Sequence, residues 1–299
     1  IIGRFLNYLL VPLFTYYFAP EEYGVIAEFY AYIGFFSVVL LFGMETGYFR
    51  YREKGTHAPE LVYATTLRFI VLANIGIFGV FVVLAQPLAE ALQYAAHPEY
   101  IVWSAAILGL DSIGAIAFAR LRAEQRAWRF AGVKLTEIFI NVGLSLFFIV
   151  GCRKAYEVDP HSWLGQCWDP AIGIGYIFLA NLVASLCKFL LLTPQLRGIG
   201  AGYSAALLGQ MTRYSAPLIV IGLAGIVNEM LDRVLMKFLL PYDPQTNLAQ
   251  LGIYSACYKL SILMALFIQA FRYAAEPFFF AHARAQDATR AYALVLNYF

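Results

Sequence analysis

The sequence predicts an all-α integral membrane protein, and three observations support this fold class. Of the 299 residues, 61% are hydrophobic and only 13% are charged, whereas soluble domains contain roughly 45–50% apolar and 25% charged residues. The mean hydropathy is +0.67. Long apolar runs recur along the chain without the alternation typical of a transmembrane β-barrel. A soluble core of ordinary size does not bury this much apolar surface.

Eight stretches have the length and composition of membrane-spanning helices. A span needs about 20 apolar residues, because the hydrocarbon layer is roughly 30 Å thick and a helix rises about 1.5 Å per residue. The predicted spans cover residues 1–18, 25–49, 61–85, 100–118, 133–150, 171–192, 217–240 and 252–271. The chain starts inside an apolar run, and its last residues, AYALVLNYF, resemble the start of a ninth span. We therefore expect a fragment of a longer transporter, with a complete eight-helix protein as the alternative.

The positions of Lys and Arg predict the orientation of these spans. Fourteen of the 21 basic residues lie in or beside the even-numbered connections, and two, Arg153 and Lys154, lie in the odd-numbered ones. Cytoplasmic loops are enriched in Lys and Arg, so the even connections are predicted to face the cytoplasm and the odd ones to face outward. The remaining five basic residues lie within the predicted spans: Arg4, Arg68, Arg233, Lys237 and Lys259.

An internal repeat predicts two lobes. Tyr23–Ile26 (YGVI) matches Leu251–Tyr254 (LGIY), and each segment follows a Pro-containing acidic turn. An aromatic-rich helix ending in Phe-Arg-Tyr follows each copy. Six spans separate the copies, so both have the same orientation, as in parallel repeats related by an axis along the membrane normal. Residues 1–196 are predicted to form a six-helix N-lobe, and residues 197–299 spans seven and eight of a C-lobe plus the start of span nine.

Four segments resemble a known family. They are PEEYG at 20–24, GMETGYFR at 43–50, LDRVLMKFLL at 231–240 and LGIYSACYKL at 251–260. They are similar to the bacterial polysaccharide transporter, or oligosaccharide flippase, family of the multidrug/oligosaccharidyl-lipid/polysaccharide exporter superfamily. The resemblance implies twelve or fourteen spans in two lobes around a central cavity. Tyr17 departs from the pattern, because family members often carry an Arg near the end of span one.

The resemblance also implies a function. Members of the family translocate undecaprenyl-pyrophosphate-linked oligosaccharide units across the bacterial inner membrane for surface polysaccharide, such as O-antigen, capsule or lipopolysaccharide. The expected partners are the lipid-linked oligosaccharide, membrane lipids and a polysaccharide polymerase. The alternatives are a multidrug or cation antiporter of the same superfamily, a lipid II flippase, a membrane glycosyltransferase and a scaffold without substrate.

Basic side chains inside the spans are candidate ligands for the pyrophosphate. A sugar–diphosphate head crossing hydrocarbon needs a wet, cationic cavity, because an unpaired phosphate is costly there. Arg4 and Asn7 share one face of span one, and Lys259 lies about two turns inside the outer end of span eight. Arg233 in span seven completes this set of substrate-binding candidates. In the alternative interpretation, Arg4 reaches the membrane interface and Lys259 forms a structural ion pair.

Three carboxylates within the spans are candidates for coupling transport to a proton or sodium gradient: Asp111, Glu229 and Asp232. Asp111 is the lone deep carboxylate of span four and is expected to be protonated or paired. Glu229 and Arg233 are four residues apart and can pair on one helix surface, which leaves Asp232 for another helix, a cation or a proton. The alternative is a charge network that holds helices together.

Spans five and six carry polar stripes that have two interpretations. The stripes either contact the sugar or form hydrogen-bonded seams between helices, the commoner use of such residues in membranes. Their members are Lys134, Glu137, Asn141 and Ser145 on span five, and Asn181, Ser185 and Lys188 on span six.

Metal, cofactor and enzymatic functions have no sequence support. No CxxC, HExxH, nucleophile elbow or Gly-rich phosphate loop occurs, and the four His residues are dispersed, so we expect no metal, no cofactor and no catalytic residues. A formal net charge of +2 argues against nucleic-acid binding. Cys152 and Cys167 share one predicted outer loop, and the sequence leaves open whether a disulfide joins them.

Overall fold

Helices make up most of the chain in the computed structural model, which describes residues 2–282 and the side chains of 10–261, 264, 267 and 268. No strand occurs in that part of the chain, which confirms the all-α fold class. The helices, in order, are α1 Ile2–Tyr17, α2 Pro20–Leu41, α3 Met44–Glu53, α4 Pro59–Val83, α5 Ala85–Ala91, α6 Glu99–Ala123, α7 Ala127–Leu146, α8 Arg153–Val158, α9 Gly175–Leu191, α10 Thr193–Leu196, α11 Ala205–Leu239 and α12 Pro244–His282. A π-helical turn, Phe147–Cys152, joins α7 to α8.

Several of these helices can cross a membrane. Four helical segments are long and apolar enough to do so: Pro20–Glu53, Pro59–Val83, Glu99–Ala123 and Ala127–Val158. A fifth is present if α9 and the following segment Thr193–Ala201, bent by 54° from it, count as one span. The described part of the chain therefore indicates a multi-pass membrane protein with four or five such segments. The other predicted spans coincide with α1, α11 and α12, and eight spans remain a prediction.

Local sequence signals explain where the main helices begin. Pro20 occupies the first turn of α2, where its missing N–H costs nothing. The Glu22 side chain accepts a hydrogen bond from the Ala19 N–H at 2.9 Å, which satisfies a donor that the helix leaves open. Ser204 caps α11 by accepting from the Leu207 N–H at 3.2 Å.

A left-handed break separates α2 from α3. Phe42 and Gly43 have φ angles of 51° and 62°, a backbone region that favours glycine. Ser215 of α11 lies against this break and donates a hydrogen bond to the Gly43 carbonyl at 3.1 Å. At this break, the C-terminal end of α2 and the N-terminal end of α3 therefore contact the first half of α11.

Helix α2 packs between the earlier and later helices of the chain, with its largest contacts on α12, α11 and α6. It crosses α12 at two glycines. A Cβ atom at Gly24 would lie 2.0 Å from the Leu248 carbonyl oxygen, and one at Gly252 would lie 2.0 Å from the Pro20 oxygen. Only glycine permits this backbone approach, so the sequence repeat that contains both glycines marks a close helix crossing.

Candidate functional site

A buried ion pair joins α2 to the end of α11. The Lys237 ammonium lies 2.9 Å from Glu28 Oε2, and both side chains are almost completely buried. Tyr32 and Tyr94 donate their hydroxyls to the same carboxylate. The ammonium also donates to the Leu92 carbonyl at 2.6 Å. Every strong hydrogen-bonding group of this Glu28–Lys237 pair therefore has a partner, as a buried charge requires.

Tyr94 lies outside the segments that can span the membrane, and its protonation supports the pair. Burial raises the pKa of the Tyr94 hydroxyl, and the neighbouring Glu28 carboxylate raises it further. Tyr94 therefore remains a hydrogen-bond donor at neutral pH. Its ring also lies under the Lys237 ammonium, 4.0 Å from the centroid, which adds a cation–π contact.

Sequence reasoning missed Glu28 as a member of a site. The signal was available, because Glu28 is a carboxylate inside the predicted second span, residues 25–49. Its partner Lys237 is 209 residues further along the chain, and no periodic pattern links the two positions.

A second charge network joins α6, α7 and α9. The Lys188 ammonium lies 2.5 Å from Asp111 Oδ1 and 2.7 Å from Glu137 Oε1. Lys134 contacts the second oxygen of Glu137 at 2.7 Å, and Ser185 donates to Asp111 Oδ1 at 2.8 Å. This Lys188 network contains two cations and two carboxylates, so its formal charge is zero. Asp111 is therefore paired, one of its two expected states, although 42% of its side chain is exposed.

The polar stripes of spans five and six meet at this network. Glu137 of α7 and Lys188 of α9 form an interhelical contact, which is the geometry of a seam. Asn181 extends the seam to α2 by donating to the Tyr30 hydroxyl at 3.4 Å. Among the described residues, Asn141 Oδ1 and Ser145 Oγ are buried without a hydrogen-bond partner.

A third group of charges lies between α11 and α12. Arg233 does not pair with the Glu229 carboxylate as their spacing predicted. Its Nη1 instead lies 3.6 Å from Asp232 Oδ1 and donates to the Glu229 backbone carbonyl. The reason is that α12 supplies tyrosine hydroxyls to both carboxylates: Tyr258 donates to Glu229 at 2.8 Å, and Tyr254 donates to Asp232.

Lys259 lies beside this group, against α2. Its ammonium is 5.6 Å from the centroid of the Tyr23 ring. The Arg233 guanidinium lies 4.4 Å from the ring centroid of Tyr258, the residue before Lys259 in α12. Where side chains are described, no carboxylate lies within 4.0 Å of the Lys259 ammonium. The Tyr23 residue is 2% exposed, and its hydroxyl has no hydrogen-bond partner in the described part of the chain. We call Tyr23, Arg233 and Lys259 the cationic cluster.

Comparisons with protein-family models, with curated proteins and with solved structures find no match for this chain. The three charge groups are therefore the features of the molecule that bear on its function.

The structure brings some of the predicted site residues together and leaves others apart. Arg233 and Lys259, two of the predicted substrate ligands, lie on neighbouring helices, where Arg233 packs on Tyr258, the residue before Lys259. Glu229 and Asp232 flank it on α11. Asp111 belongs to the separate Lys188 network. The side chains of Arg4 and Asn7 lie outside the described residues. Their shared face on α1 and their contact with substrate therefore both stay predictions.

Neither a metal centre nor a disulfide is present in the described part of the chain. No group of three or more His, Cys, Asp or Glu side chains is arranged to hold a metal ion there. Cys152 is buried, Cys167 is exposed, and both are free thiols.

Proposed function

We propose that the protein is a flippase that moves undecaprenyl-pyrophosphate-linked oligosaccharide across the bacterial inner membrane by alternating access. In this proposal the chain supplies eight spans of a two-lobe exporter with twelve or fourteen. The observation that carries it is the cationic cluster. The half-buried ammonium of Lys259 has no carboxylate in contact among the described residues, and the Arg233 guanidinium lies over the ring of Tyr258, the residue before Lys259 in α12.

The chemistry of the cationic cluster suits a diphosphate. A half-buried ammonium without a carboxylate in contact favours an anionic ligand, because the surrounding apolar groups weaken the screening of its charge. Arg233 can present two N–H groups to phosphate oxygens in a planar fork, and the free Tyr23 hydroxyl is a further donor. The cluster thus offers donors from α2, α11 and α12, which are the helices that contact each other across the predicted lobe boundary.

The carboxylates beside the cluster are suited to coupling. Glu229 and Asp232 each accept a hydrogen bond from a tyrosine of α12, so protonation of either carboxyl changes the contact between α11 and α12. In the proposed cycle, proton or sodium binding at Glu229, Asp232 or Asp111 drives the rearrangement of the lobes. We would neutralise all three residues and compare transport rates with and without the ion gradient. A rate that stays unchanged and gradient-dependent contradicts this coupling.

We infer that contacts at the predicted outer end of the molecule open during transport. The Glu28–Lys237 pair joins α2 to α11, and the crossing at Gly24 and Gly252 joins α2 to α12. Alternating access requires these contacts to open so that the substrate can leave on that side. The pair is therefore proposed as the contact that breaks in the outward-open state.

The test is complementation of a host that lacks its own flippase but makes the matching lipid-linked glycan, with surface polysaccharide as the readout. We expect Lys259→Ala to abolish polysaccharide and Lys259→Arg to retain part of it, because the Arg variant keeps the positive charge. Lys154→Ala is the matched control, since Lys154 is an exposed lysine away from the cluster. Loss of polysaccharide in the control as well, or full activity of Lys259→Ala at equal expression, contradicts the proposal.

The same host distinguishes the main rival, a multidrug or cation antiporter. The tyrosine-bound carboxylates Glu229 and Asp232 are the observation that favours it, because carboxylates and aromatic rings attract organic cations. Raised drug resistance without polysaccharide would assign the protein to that class. Complementation of a lipid II flippase defect, without polysaccharide, would assign it to peptidoglycan synthesis. A polysaccharide polymerase remains a proposed partner, to be sought by co-purification from the complemented host.

A further inference from the structure

Two cysteines come together beyond the end of α7. Cys152 is the last residue of the π-helical turn Phe147–Cys152 and is buried. Cys167, 15 residues further along the chain, is the last residue of a 3₁₀ turn, Gly165–Cys167, and is exposed. The two turns pack against each other, so the chain returns to the end of α7 at the second cysteine.

Several contacts hold the two cysteines side by side. The Tyr176 ring and Cys152 belong to one buried cluster, and the Tyr176 hydroxyl donates to the Cys167 carbonyl at 3.0 Å. The residues that follow the cysteines also meet, because the Arg153 guanidinium lies 6.0 Å from the centroid of the Trp168 ring. The Cys167 side chain interacts with the Cys152 thiol itself. A disulfide between neighbours held in this way can form with little movement of the backbone.

The loop before Cys167 is ordered by its own contacts. The Asp159 carbonyl accepts hydrogen bonds from the Ser162 N–H at 3.1 Å and from the Ser162 hydroxyl at 2.7 Å. A Cβ atom at Gly165 would lie 2.5 Å from the Asp159 oxygen, so this turn closes only around a glycine. The loop therefore holds Cys167 at a defined position next to Cys152.

The predicted location of this loop favours oxidation. Both cysteines lie in one connection that the distribution of Lys and Arg predicts to face outward. Disulfides form and persist in oxidising compartments such as the bacterial periplasm, and they are rare in the cytosol. The exposed thiol of Cys167 is open to an oxidising protein, whereas the thiol of Cys152 is buried against its neighbours.

We propose that Cys152 and Cys167 are the site of a disulfide, formed by exchange with a protein of the outer compartment that carries an oxidised dithiol. The thiolate of Cys167 attacks the donor disulfide, which forms a mixed disulfide and releases one donor thiol. The Cys152 sulfur then attacks the Cys167 sulfur, which forms the internal bond and releases the second donor thiol. The donor is reduced by two electrons, and two thiol protons pass from the cysteines to its thiols. The proposal depends on the predicted orientation and not on the transported substrate.

The disulfide fastens the segment 153–174 over the ends of neighbouring helices. The Tyr100 hydroxyl at the start of α6 donates to the Ile172 carbonyl at 3.1 Å. The Arg153 guanidinium donates to the Tyr17 carbonyl at the end of α1 at 2.6 Å. All of these contacts lie within the predicted N-lobe, so the bond strengthens one lobe without tying it to the other.

Peptide mapping tests the bond directly. Cells are quenched in acid to stop thiol exchange, free thiols are blocked with N-ethylmaleimide in denaturant, and the purified protein is digested with trypsin without reduction. Trypsin cleaves after Arg153 and Lys154, and the next basic residue is Lys188, so the two cysteines fall on different peptides. We expect mass spectrometry to find these peptides joined and to find them separate after reduction. Separate peptides with maleimide on both Cys152 and Cys167 overturn the proposal.

Cys187 is the matched control, because it lies on the same tryptic peptide as Cys167. We expect Cys187→Ser to keep the linked peptides and Cys167→Ser to lose them. The reverse result assigns the bond to Cys187 and overturns the proposal. A host that lacks its periplasmic dithiol oxidase should lose most of the linked peptide, and an unchanged yield in that host contradicts the proposed exchange.

A second measurement tests whether the bond fastens the loop. Trp163 in the loop is 74% exposed, and Trp128 near the start of α7 is 93% exposed, so both are targets for brief digestion with chymotrypsin. We expect Cys167→Ser to be cut several-fold faster than the unaltered protein at Trp163, because the loop then opens more often. The rate at Trp128 should stay the same. An unchanged rate at Trp163, or equal acceleration at both sites, contradicts this role of the bond.

Discussion

Lys237 and Lys259 are two lysines on consecutive helices, both against α2, in opposite surroundings. Lys237 contacts a carboxylate and a backbone carbonyl and lies over a tyrosine ring. Lys259 lies near a tyrosine ring, with no carboxylate in contact among the described residues. The buried ion pair of Lys237, with its hydrogen bonds satisfied, holds two helices together. A cation without a nearby carboxylate, such as Lys259, can instead bind an anionic ligand. Partners, rather than burial alone, distinguish a structural lysine from a ligand-binding one.

The largest effect on stability is expected at the structural lysine. Lys237→Met leaves the Glu28 carboxylate buried without a counter-charge, which should lower the free energy of unfolding by about 3–5 kcal/mol. The measurement is the thermal unfolding midpoint in detergent, together with the yield of folded protein. Adding Glu28→Gln to the same protein should recover part of the loss, because the uncompensated charge is then gone. A midpoint that Lys237→Met leaves unchanged would contradict a structural role for the pair.

A smaller loss is expected in the Lys188 network. In Lys188→Met, Glu137 keeps Lys134 and Asp111 keeps the Ser185 hydroxyl, so each carboxylate retains one partner. We expect a loss of about 1–3 kcal/mol, the range for leaving a buried polar group unsatisfied. The measurement is the thermal unfolding midpoint of Lys188→Met, compared with that of Lys237→Met in the same detergent. A loss as large as that of Lys237→Met would mean that Lys188 is the main partner of both carboxylates.

A weaker, pH-dependent effect is expected at Asp243, which caps α12 close to Lys237. Hydrogen bonds from the Thr246 hydroxyl and N–H hold the pKa of Asp243 below its ordinary value of 3.8. A lowered pKa stabilises the fold fully above the ordinary value and ceases to do so as the pH falls through the lowered one. Asp243→Ala should therefore lower the unfolding midpoint slightly at pH 7 and less at pH values below 3.8. A difference that grows on acidification would contradict this assignment.

The smallest effect on stability is expected at Lys259, the lysine that we propose binds the ligand. Lys259→Met removes a half-buried cation that has no carboxylate in contact among the described residues, so the free energy of unfolding should change by no more than about 1 kcal/mol in either direction. Surface polysaccharide should nevertheless be lost in the complementation assay. The comparison between the two lysines breaks down if Lys259→Met destabilises the protein as much as Lys237→Met does, because Lys259 would then be structural.

Much of the helical architecture could be predicted from the sequence. The apolar windows at 61–85 and 100–118 overlap helices α4 and α6 almost completely, because helix formation in a membrane depends mainly on local hydrophobicity. The repeat motif around Gly24 and Gly252 is the place where α2 and α12 approach most closely, although the sequence indicated only a shared orientation.

The candidate site was predictable only in part. The charged residues inside the spans were visible in the sequence, and Arg233 does contact Tyr258, the residue before Lys259 in α12. The sequence did not reveal their partners. Asp111 accepts a hydrogen bond from Lys188, 77 residues away. Glu229, which was expected to pair with Arg233 along α11, and its neighbour Asp232 instead accept hydrogen bonds from tyrosines of α12. Glu28 was overlooked as a site residue altogether.

The sequence by itself determined that this is an all-α membrane protein and which helices carry charges, because hydrophobicity and helical periodicity are properties of contiguous residues. Only the tertiary structure decided which charges neutralise one another. Pairing depends on how each helix rotates about its axis and which neighbour it meets, and the chain separates Glu28 from Lys237 by 209 residues. A lysine inside a membrane is costly wherever it lies, and the contacts around it decide whether it stabilises the fold or binds a ligand.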